Sequence, residues 1–214
     1  KEKLYENQLN INGEHVGAIV RFKLKKGEKI GVNVASSYID LEQAELNLTR
    51  EISKDSFEQV VDKAKERWEN ELQRIKVSGG TDSQYRTFYS CLYRTLIFPR
   101  KFYEINKKGE VVHYSPYKGR VLRGYMYSDN GFWDTFRAQF PLMNLLYPEI
   151  VSEVLQSMEN IYKESGWLPE WFSPGHRDCM IGSHSASIIA DAYLKGIKGF
   201  DINLLYEAIL KNTQ

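Results

Sequence analysis

The chain is organised around residues 127–197, whose two densest pieces read Ser128-Asp129-Asn130-Gly131-Phe132-Trp133-Asp134-Thr135-Phe136-Arg137 and Gly166-Trp167-Leu168-Pro169-Glu170-Trp171. Large aromatic residues, carboxylates and one arginine alternate here with turn residues. Aromatic faces beside converging carboxylates suit a sugar, because its C–H faces stack on rings while its hydroxyl groups form hydrogen bonds. The stretch therefore predicts a carbohydrate-binding surface.

The composition is that of a globular protein of 214 residues, with a formal net charge of +1 and 13% aromatic residues. This length allows one large or two smaller domains with a substantial core. The small net charge, without a basic block, argues against a nucleic-acid partner, which favours clustered lysine and arginine. The two cysteines give no disulfide framework, and no apolar run is long enough to span a membrane.

The first part of the chain predicts strands. Apolar side chains alternate with polar ones over residues 15–24 and again over residues 30–35, on either side of a turn at residues 25–28. We interpret this pair as an antiparallel hairpin in a β-sandwich. A helical spacing of apolar residues then predicts a short helix over residues 41–48.

The rest of the chain predicts helices, interrupted by one β-rich segment at residues 100–128 that has the pattern of a long hairpin insertion. The clearest helix covers residues 55–76, because a capping box begins it and its apolar residues fall on one stripe. Further helices are predicted at residues 82–98, 131–146, 148–164, 183–194 and 201–209.

Strands before helices indicate an α+β fold class rather than an alternating α/β fold. The helix pairs of the second half are typical of a bundle or an α/α toroid. Pro141 is expected to kink the helix at residues 131–146 or to restrict its start, while Pro148 and Gly166 are expected to begin and end the next helix.

Two roles are open for Asp134, which lies beside Trp133 at the start of a predicted helix. A carboxylate there can cap free backbone N–H groups and needs no further function. Arg137 lies three residues later on the same helical face. An Asp–Arg pair next to Trp133 and Asp129 could instead clamp substrate hydroxyl groups.

Trp167 and Trp171 flank Glu170 in a proline-containing loop. The two rings could staple this loop to the core or form a platform for a sugar. Glu170 is a candidate general acid if neighbouring rings raise its pKa. Such a glutamate is more often a solvated loop charge.

A metal site is a further hypothesis, with ligands from His176, Asp178, Cys179 and His184. Their spacing fits no zinc pattern, and the Met-Ile pair after the cysteine has the character of buried residues. His184 is better interpreted as a polar contact in the cavity. Glycoside hydrolysis usually needs two carboxylates at a set separation, and no pair in this chain has a distinctive spacing.

Ordered motifs recur along the chain: Ser78-Gly79-Gly80-Thr81, Phe88-Tyr89-Ser90-Cys91-Leu92-Tyr93-Arg94, Gly131-Phe132-Trp133-Asp134-Thr135-Phe136-Arg137, Gly166-Trp167-Leu168-Pro169-Glu170-Trp171, Met180-Ile181-Gly182-Ser183-His184 and Ile189-Ala190-Asp191-Ala192-Tyr193-Leu194-Lys195-Gly196-Ile197. Together with Ala35-Ser36-Ser37-Tyr38 they resemble glycoside hydrolase family 92, whose members are calcium-dependent exo-α-mannosidases, mostly bacterial and exported. The resemblance covers nearly the whole chain.

The resemblance implies an N-terminal β-sandwich packed on an (α/α)6 barrel. On that basis residues 1–54 are expected to be the C-terminal part of the sandwich and residues 55–78 a connector helix. Residues 79–214 are then expected to be the first half of the catalytic barrel, so that the chain is a fragment of a longer enzyme.

The resemblance also implies an inverting exo-acting α-mannosidase, assisted by Ca²⁺, that hydrolyses terminal α-mannosides of glycans. The motifs for the general acid, the general base and most calcium contacts are expected beyond Gln214. No catalytic or metal-binding residue is therefore assigned within the chain, and the isolated fragment is expected to be inactive. The residues expected to contact the substrate are Trp133, Asp134, Arg137, Trp171, Met180, Gly182 and His184.

The expected partner is a mannose-containing glycan, with no nucleic acid and no membrane span, in a protein that is periplasmic or secreted in bacteria. The alternative is a non-catalytic carbohydrate-binding protein on the same scaffold. A third hypothesis, a helical interaction domain, predicts no affinity for sugars.

Overall fold

The computed structural model describes residues 3–8, 10–52, 54–177 and 179–214. Its helices are α1 (Leu41–Glu51), α2 (Phe57–Leu72), α3 (Asp82–Thr95), α4 (Phe132–Thr135), α5 (Gln139–Leu146), α6 (Pro148–Ser165), α7 (His184–Leu194) and α8 (Ile202–Asn212). Its strands are β1 (Arg100–Lys101), β2 (Glu104–Ile105), β3 (Val111–Ser115), β4 (Arg120–Arg123), β5 (Tyr127–Ser128), β6 (Asn130–Gly131) and β7 (Trp171–Phe172). This mixture agrees with the predicted α+β class. Within the described ranges, no helix has the length and apolar character that crossing a membrane requires.

The chain divides into two compact units, one ending at Val32 and the other running from Asn33. The described residues of the first unit form a turn, in which the N–H of Glu28 donates to the carbonyl of Lys25 at 3.1 Å, but no strand. The strands predicted at residues 15–24 and 30–35 are therefore wrong for this structure. Their apolar side chains stay exposed, and a lone hairpin buries too little surface to hold its ladder. The sandwich assignment stays a prediction.

Helix α1 confirms the helix predicted at residues 41–48 and is somewhat longer, with 11 residues. Two of its side chains donate hydrogen bonds to β2. Gln43 donates from Nε2 to the carbonyl oxygen of Ile105 at 2.9 Å, and Asn47 donates from Nδ2 to the carboxylate of Glu104 at 2.9 Å. Helix α1 is therefore attached to the β-rich part of the same unit.

Helix α2 confirms the helix predicted at residues 55–76, including its capping box. None of its residues is buried, and Phe57 at its start is 79% exposed. Trp68 makes an edge-on contact with Tyr93 of α3, with ring centroids 4.6 Å apart. The role of α2 as a connector stays a prediction.

The predicted β-rich insertion is present at residues 100–128. Strands β2, β3 and β4 form an antiparallel sheet in that order, and β1 pairs with β5. The fully buried ring of His113, in β3, lies between two acceptors. Its Nδ1 is 2.8 Å from the carbonyl oxygen of Gly124, and its Nε2 is 2.9 Å from the carboxylate of Glu164 in α6. These contacts fix the insertion to α6.

The core lies among four helices that pack in the pairs α5–α6, α5–α7, α6–α8 and α7–α8. Helix α6 supplies a buried apolar face to this core: Val151, Val154, Leu155, Met158 and Ile161. As predicted, Pro148 begins α6 and Gly166 ends it with a φ of 86°. The (α/α)6 barrel stays a prediction, since a helical bundle contains the same packed pairs.

The helix predicted at residues 131–146 is two helices in the structure. Helix α4 ends at Thr135, and α5 begins at Gln139. Pro141 lies in the first turn of α5, where the missing N–H of a proline has no helical partner to lose. Pro141 therefore restricts the start of a helix, which was one of its two predicted effects.

Candidate functional site

Strands β6 and β7 bring together the two dense pieces of sequence. They pair antiparallel, with Gly131 opposite Trp171. The pairing continues into α4, because the N–H of Phe132 donates to the carbonyl oxygen of Glu170 at 3.1 Å. The start of α4 is thus held against the loop that carries Trp171.

Gly131 is covered by two of the predicted substrate contacts. A Cβ at this position would lie 2.8 Å from Cε of Met180 and 2.8 Å from Cε3 of the Trp171 ring. Met180 and Trp171 come from separate segments and meet over the same glycine. A side chain at position 131 would displace one or both of them.

Trp133 and Asp134 lie in α4 with exposed side chains, and Trp133 is 42% exposed. No side chain caps this helix, so the interpretation of Asp134 as a helix cap is wrong. Among the described side chains none forms an ion pair with Asp134. Its carboxylate is therefore available to a ligand.

Arg137 belongs to a stacked column of side chains and does not pair with Asp134. Its guanidinium carbon lies 4.4 Å from the centre of the Trp133 ring and 4.6 Å from that of Phe136. The Phe136 ring lies flat on the ring of His184, with centroids 4.1 Å apart and an interplanar angle of 7°. Arg137 also donates to the carbonyl oxygen of Trp133. The predicted Asp–Arg clamp is therefore not formed, and the stacked column joins α4 to α7.

His184 begins α7 and is half-buried. Gly182, two residues earlier, has a φ of 82°, in the left-handed region that favours glycine. A Cβ there would lie 2.8 Å from Nε2 of His184. The loop therefore turns directly against the imidazole, which Phe136 also contacts.

The surroundings of the Glu170 side chain differ most from those predicted from the sequence. Its Oε2 accepts the backbone N–H groups of His184 at 2.7 Å and Ser185 at 3.2 Å, and its Oε1 accepts the Ser185 hydroxyl at 2.5 Å. Ser183, the residue before α7, provides no side-chain cap. Burial raises the pKa of Glu170 above its usual value, although the three hydrogen bonds oppose that shift. The interpretation as a solvated loop charge is wrong, because both carboxylate oxygens are engaged by α7.

Sequence reasoning missed the residues that hold the others in place. Asn130 is buried, and its Oδ1 accepts the hydroxyl of Thr135 at 2.7 Å, which ties β6 to α4. Phe136 supports His184, and its place in an aromatic motif was a usable signal. No spacing rule signals the cap from Glu170, since it joins side chain and backbone across 14 positions.

The two tryptophans of the Trp-Leu-Pro-Glu-Trp loop contact different elements. Trp167 is 44% exposed, and the ammonium group of Lys211 in α8 lies 5.0 Å from its ring centre. Trp171 covers Gly131 in β6. A joint staple or platform made by both rings is therefore absent from the part of the chain that the structure describes.

The hypothesis of a metal set at residues 176–184 gains no support. Asp178 lies outside the described residues, and Cys179 is exposed, as is Ile181, which was expected to be buried. Within residues 3–8, 10–52, 54–177 and 179–214, no group of three His, Cys, Asp or Glu could hold a metal ion.

Comparisons with known proteins identify the family of the chain. The profile of the glycosyl hydrolase family 92 catalytic domain matches residues 43–214. A family 92 inverting mannosidase from Bacteroides thetaiotaomicron has a TM-score of 0.79 and 55% identity, and the match covers 81% of this chain and 24% of that chain. A family 92 α-mannosidase of the same organism, solved in complex with mannoimidazole, has a TM-score of 0.75 and 27% identity over 83% of this chain and 23% of that chain.

A secreted glycosidase of Arthroderma benhamiae is 28% identical over 192 residues, which are 87% of this chain and 20% of that protein. The chain thus spans only about a fifth to a quarter of the length of these relatives. Because the family profile matches most of the chain and the fold of its members is shared, the chain belongs to glycoside hydrolase family 92.

Proposed function

We propose that this chain supplies part of the substrate site of an exo-acting α-mannosidase that hydrolyses terminal α-mannosides of glycans with inversion. The observation that carries the proposal is the 55% identity to an inverting mannosidase over 81% of the chain. The relative solved with mannoimidazole supports a mannose-like ligand.

Trp133 and Asp134 are the proposed main contacts to the sugar. An exposed indole face accepts the C–H groups of a pyranose ring. The adjacent carboxylate, which has no ion-pair partner among the described side chains, accepts hydrogen bonds from two neighbouring hydroxyl groups. Arg137 holds the Trp133 ring from one side, so the stacking surface is fixed before the sugar arrives.

Trp171, Met180, Gly182 and His184 are proposed to complete this side of the pocket. Trp171 and Met180 form an apolar floor over Gly131. His184 offers a ring nitrogen for a hydroxyl group, while Phe136 supports its ring. Such fixed contacts lower a reaction barrier by orienting the substrate in the attack geometry.

The proton transfers are proposed to come from residues outside this chain. Inversion uses a general acid and a general base, about 6.5–9.5 Å apart, on opposite sides of the sugar. Glu170, the carboxylate next to Trp171, is engaged by α7. The part played by this chain is to bind and orient the mannoside, and the isolated chain is expected to release no mannose.

Calcium and export belong to the same proposal. The family resemblance supports a calcium-dependent enzyme whose calcium ligands come mostly from other parts of the polypeptide. In keeping with this, the described residues contain no group of three His, Cys, Asp or Glu that could hold a metal ion. A bound calcium ion would supply a positive charge that polarises and orients oxygen ligands. The similarity to a secreted glycosidase supports a protein that is periplasmic or secreted. The proposal of a bacterial source rests on the family resemblance alone.

The proposal is tested by incubating the full-length polypeptide that carries this sequence with an α-mannobiose, with calcium or with a chelator. We expect calcium-dependent release of mannose, and the first product from the non-reducing end is expected to be the β-anomer by NMR. Release of the α-anomer would contradict inversion. Binding without release would favour the non-catalytic carbohydrate-binding protein.

Asp134→Ala tests the binding site itself. Because hydrogen bonds to a charged group contribute about 1.5–3 kcal/mol, we expect kcat/KM to fall about tenfold to a hundredfold. The side chain is exposed, so the unfolding free energy is expected to change by about 0.5 kcal/mol or less. Asp82→Ala is the matched control, since Asp82 is also an exposed aspartate in the first turn of a helix. Unchanged kinetics in Asp134→Ala would remove Asp134 from the substrate site.

A further inference from the structure

We infer that Glu170 is a positioning residue of this site, which sets the start of α7, and with it the ring of His184, against the segment that carries Trp133 and Asp134. The inference rests on the proposed function, because it concerns the placement of residues proposed to bind the mannoside. Glu170 itself is not proposed to touch the sugar.

Glu170 connects the starts of two helices that carry proposed substrate contacts. Its backbone carbonyl accepts the N–H of Phe132, the first residue of α4, at 3.1 Å. Its carboxylate accepts the N–H of His184, the first residue of α7, at 2.7 Å. The distance between the two helix starts is therefore set through one residue.

Helix α7 depends on this carboxylate because it has no local cap. In α8 the equivalent task is done locally by Asp201, which accepts the N–H groups of Asn203 at 3.0 Å and Leu204 at 3.2 Å. In α7 the residue before the helix makes no such bond, and Glu170 accepts two backbone N–H groups from another segment. A cap that comes from elsewhere fixes where a helix begins as well as stabilising it.

Of the residues in α7, His184 is expected to shift most when this cap is lost, because it is the first residue of the helix. Its ring lies flat on Phe136 and against Gly182. If the first turn of α7 frays, the backbone that carries this ring moves while α4 stays in place. The stacked column would then lose its last member, and the proposed sugar hydroxyl contact would be misplaced.

Ser185 strengthens the attachment from the side of α7. Its side chain is buried, and its hydroxyl donates to the second carboxylate oxygen of Glu170 at 2.5 Å. A glutamine at position 170 keeps the shape, and its single carbonyl oxygen can still accept the backbone N–H groups. An alanine at position 170 is too short to reach α7 and has no side-chain oxygen to accept these hydrogen bonds.

The experiment compares Glu170→Ala, Glu170→Gln and the control Asp201→Ala in the full-length polypeptide. Glu170→Ala and Asp201→Ala each remove a helix cap, on α7 and α8 respectively, and both are expected to lower the unfolding temperature. We expect Glu170→Ala to lower kcat/KM on an α-mannobiose at least about tenfold, since misplacement of contacts by about 1 Å costs that much or more. Glu170→Gln is expected to recover most of this loss, and Asp201→Ala to leave kcat/KM unchanged. Crystal structures of the variants then report the separation of the Phe136 and His184 rings.

Several outcomes would overturn the inference. It fails if Glu170→Ala keeps the wild-type kcat/KM, if the two rings stay stacked in that variant, or if Asp201→Ala is equally impaired. If Glu170→Ala does not fold, Ser185→Ala decides, because it removes one hydrogen bond of the attachment and is expected to lower kcat/KM by a smaller factor. No mannose release by the unmodified polypeptide is a different result, which overturns the proposed function and the inference with it.

Discussion

Helices α2 and α6 each carry apolar residues at helical spacing, yet only α6 buries them. In α6 the side chains of Val151, Leu155 and Met158 are fully buried. In α2 no residue is buried. A stripe at helical spacing therefore predicts that a helix forms, whereas burial depends on which elements surround it.

The surroundings of the two helices explain the difference. Helix α6 packs against α5 and α8 and is joined to the insertion through its Glu164. Helix α2 is attached mainly near its C-terminal end, where Tyr147 donates from its hydroxyl to the carbonyl of Glu71 at 3.1 Å. Arg74, just beyond the helix, donates to the carbonyl of Leu146 at 2.6 Å. These bonds hold one end of α2, and much of its apolar stripe stays exposed.

Among the substitutions that test this contrast, Leu155→Ala in α6 is expected to lower the unfolding free energy most. The side chain is fully buried, so its truncation leaves a cavity and should lower the unfolding free energy by about 2–5 kcal/mol. Hydrogen exchange of the α6 and α8 amides in the full-length polypeptide measures the loss of protection. A loss below about 1 kcal/mol would show that α6 is not the centre of the core.

Trp68→Ala in α2 is expected to have an intermediate effect. The ring is only partly covered and meets Tyr93 edge-on, and such an aromatic pair contributes about 0.5–1.5 kcal/mol beyond its buried area. Protection of the α2 amides should fall, while that of α6 should not. Tyr93→Ala should give a similar loss and add little to Trp68→Ala, because both substitutions remove the same contact.

Phe57→Ser at the start of α2 is expected to have the smallest effect. The side chain is 79% exposed, so we expect the unfolding free energy to change by about 0.5 kcal/mol or less. The measurement is again hydrogen exchange of the α2 amides. A loss above about 1 kcal/mol would mean that Phe57 packs on a surface absent from this structure, and the contrast with α6 would then not hold in the full-length polypeptide.

The parts of the fold that the sequence predicted are those with local causes. Capping residues begin α2, α3 and α8, and Gly166 ends α6, so the signal and the structure lie within a few residues of each other. The strands predicted at residues 15–24 failed because a strand needs a partner, and alternation does not show whether one is present. The break between α4 and α5 did have a local signal in Pro141, which lies in the first turn of α5.

The site was predictable at the level of motifs and not at the level of contacts. Trp171 and Met180 were named from separate motifs, and the structure brings them together over Gly131. Arg137 was named for a pair with Asp134 and stacks on rings instead. The cap from Glu170 joins segments that only the tertiary fold places side by side, so spacing in the sequence could not reveal it.

The covering of Gly131 limits how the proposed sugar pocket could be reshaped. Trp171 is paired through its backbone with Gly131 itself, so a larger residue at position 131 would push apart the two strands that hold both dense motifs. Met180 approaches the same glycine with the end of a flexible thioether chain. The proposed floor could therefore be deepened only from the side of Met180. A shorter residue at position 180 would leave the strand pair intact and, if the proposed site is correct, open room for a bulkier or substituted sugar.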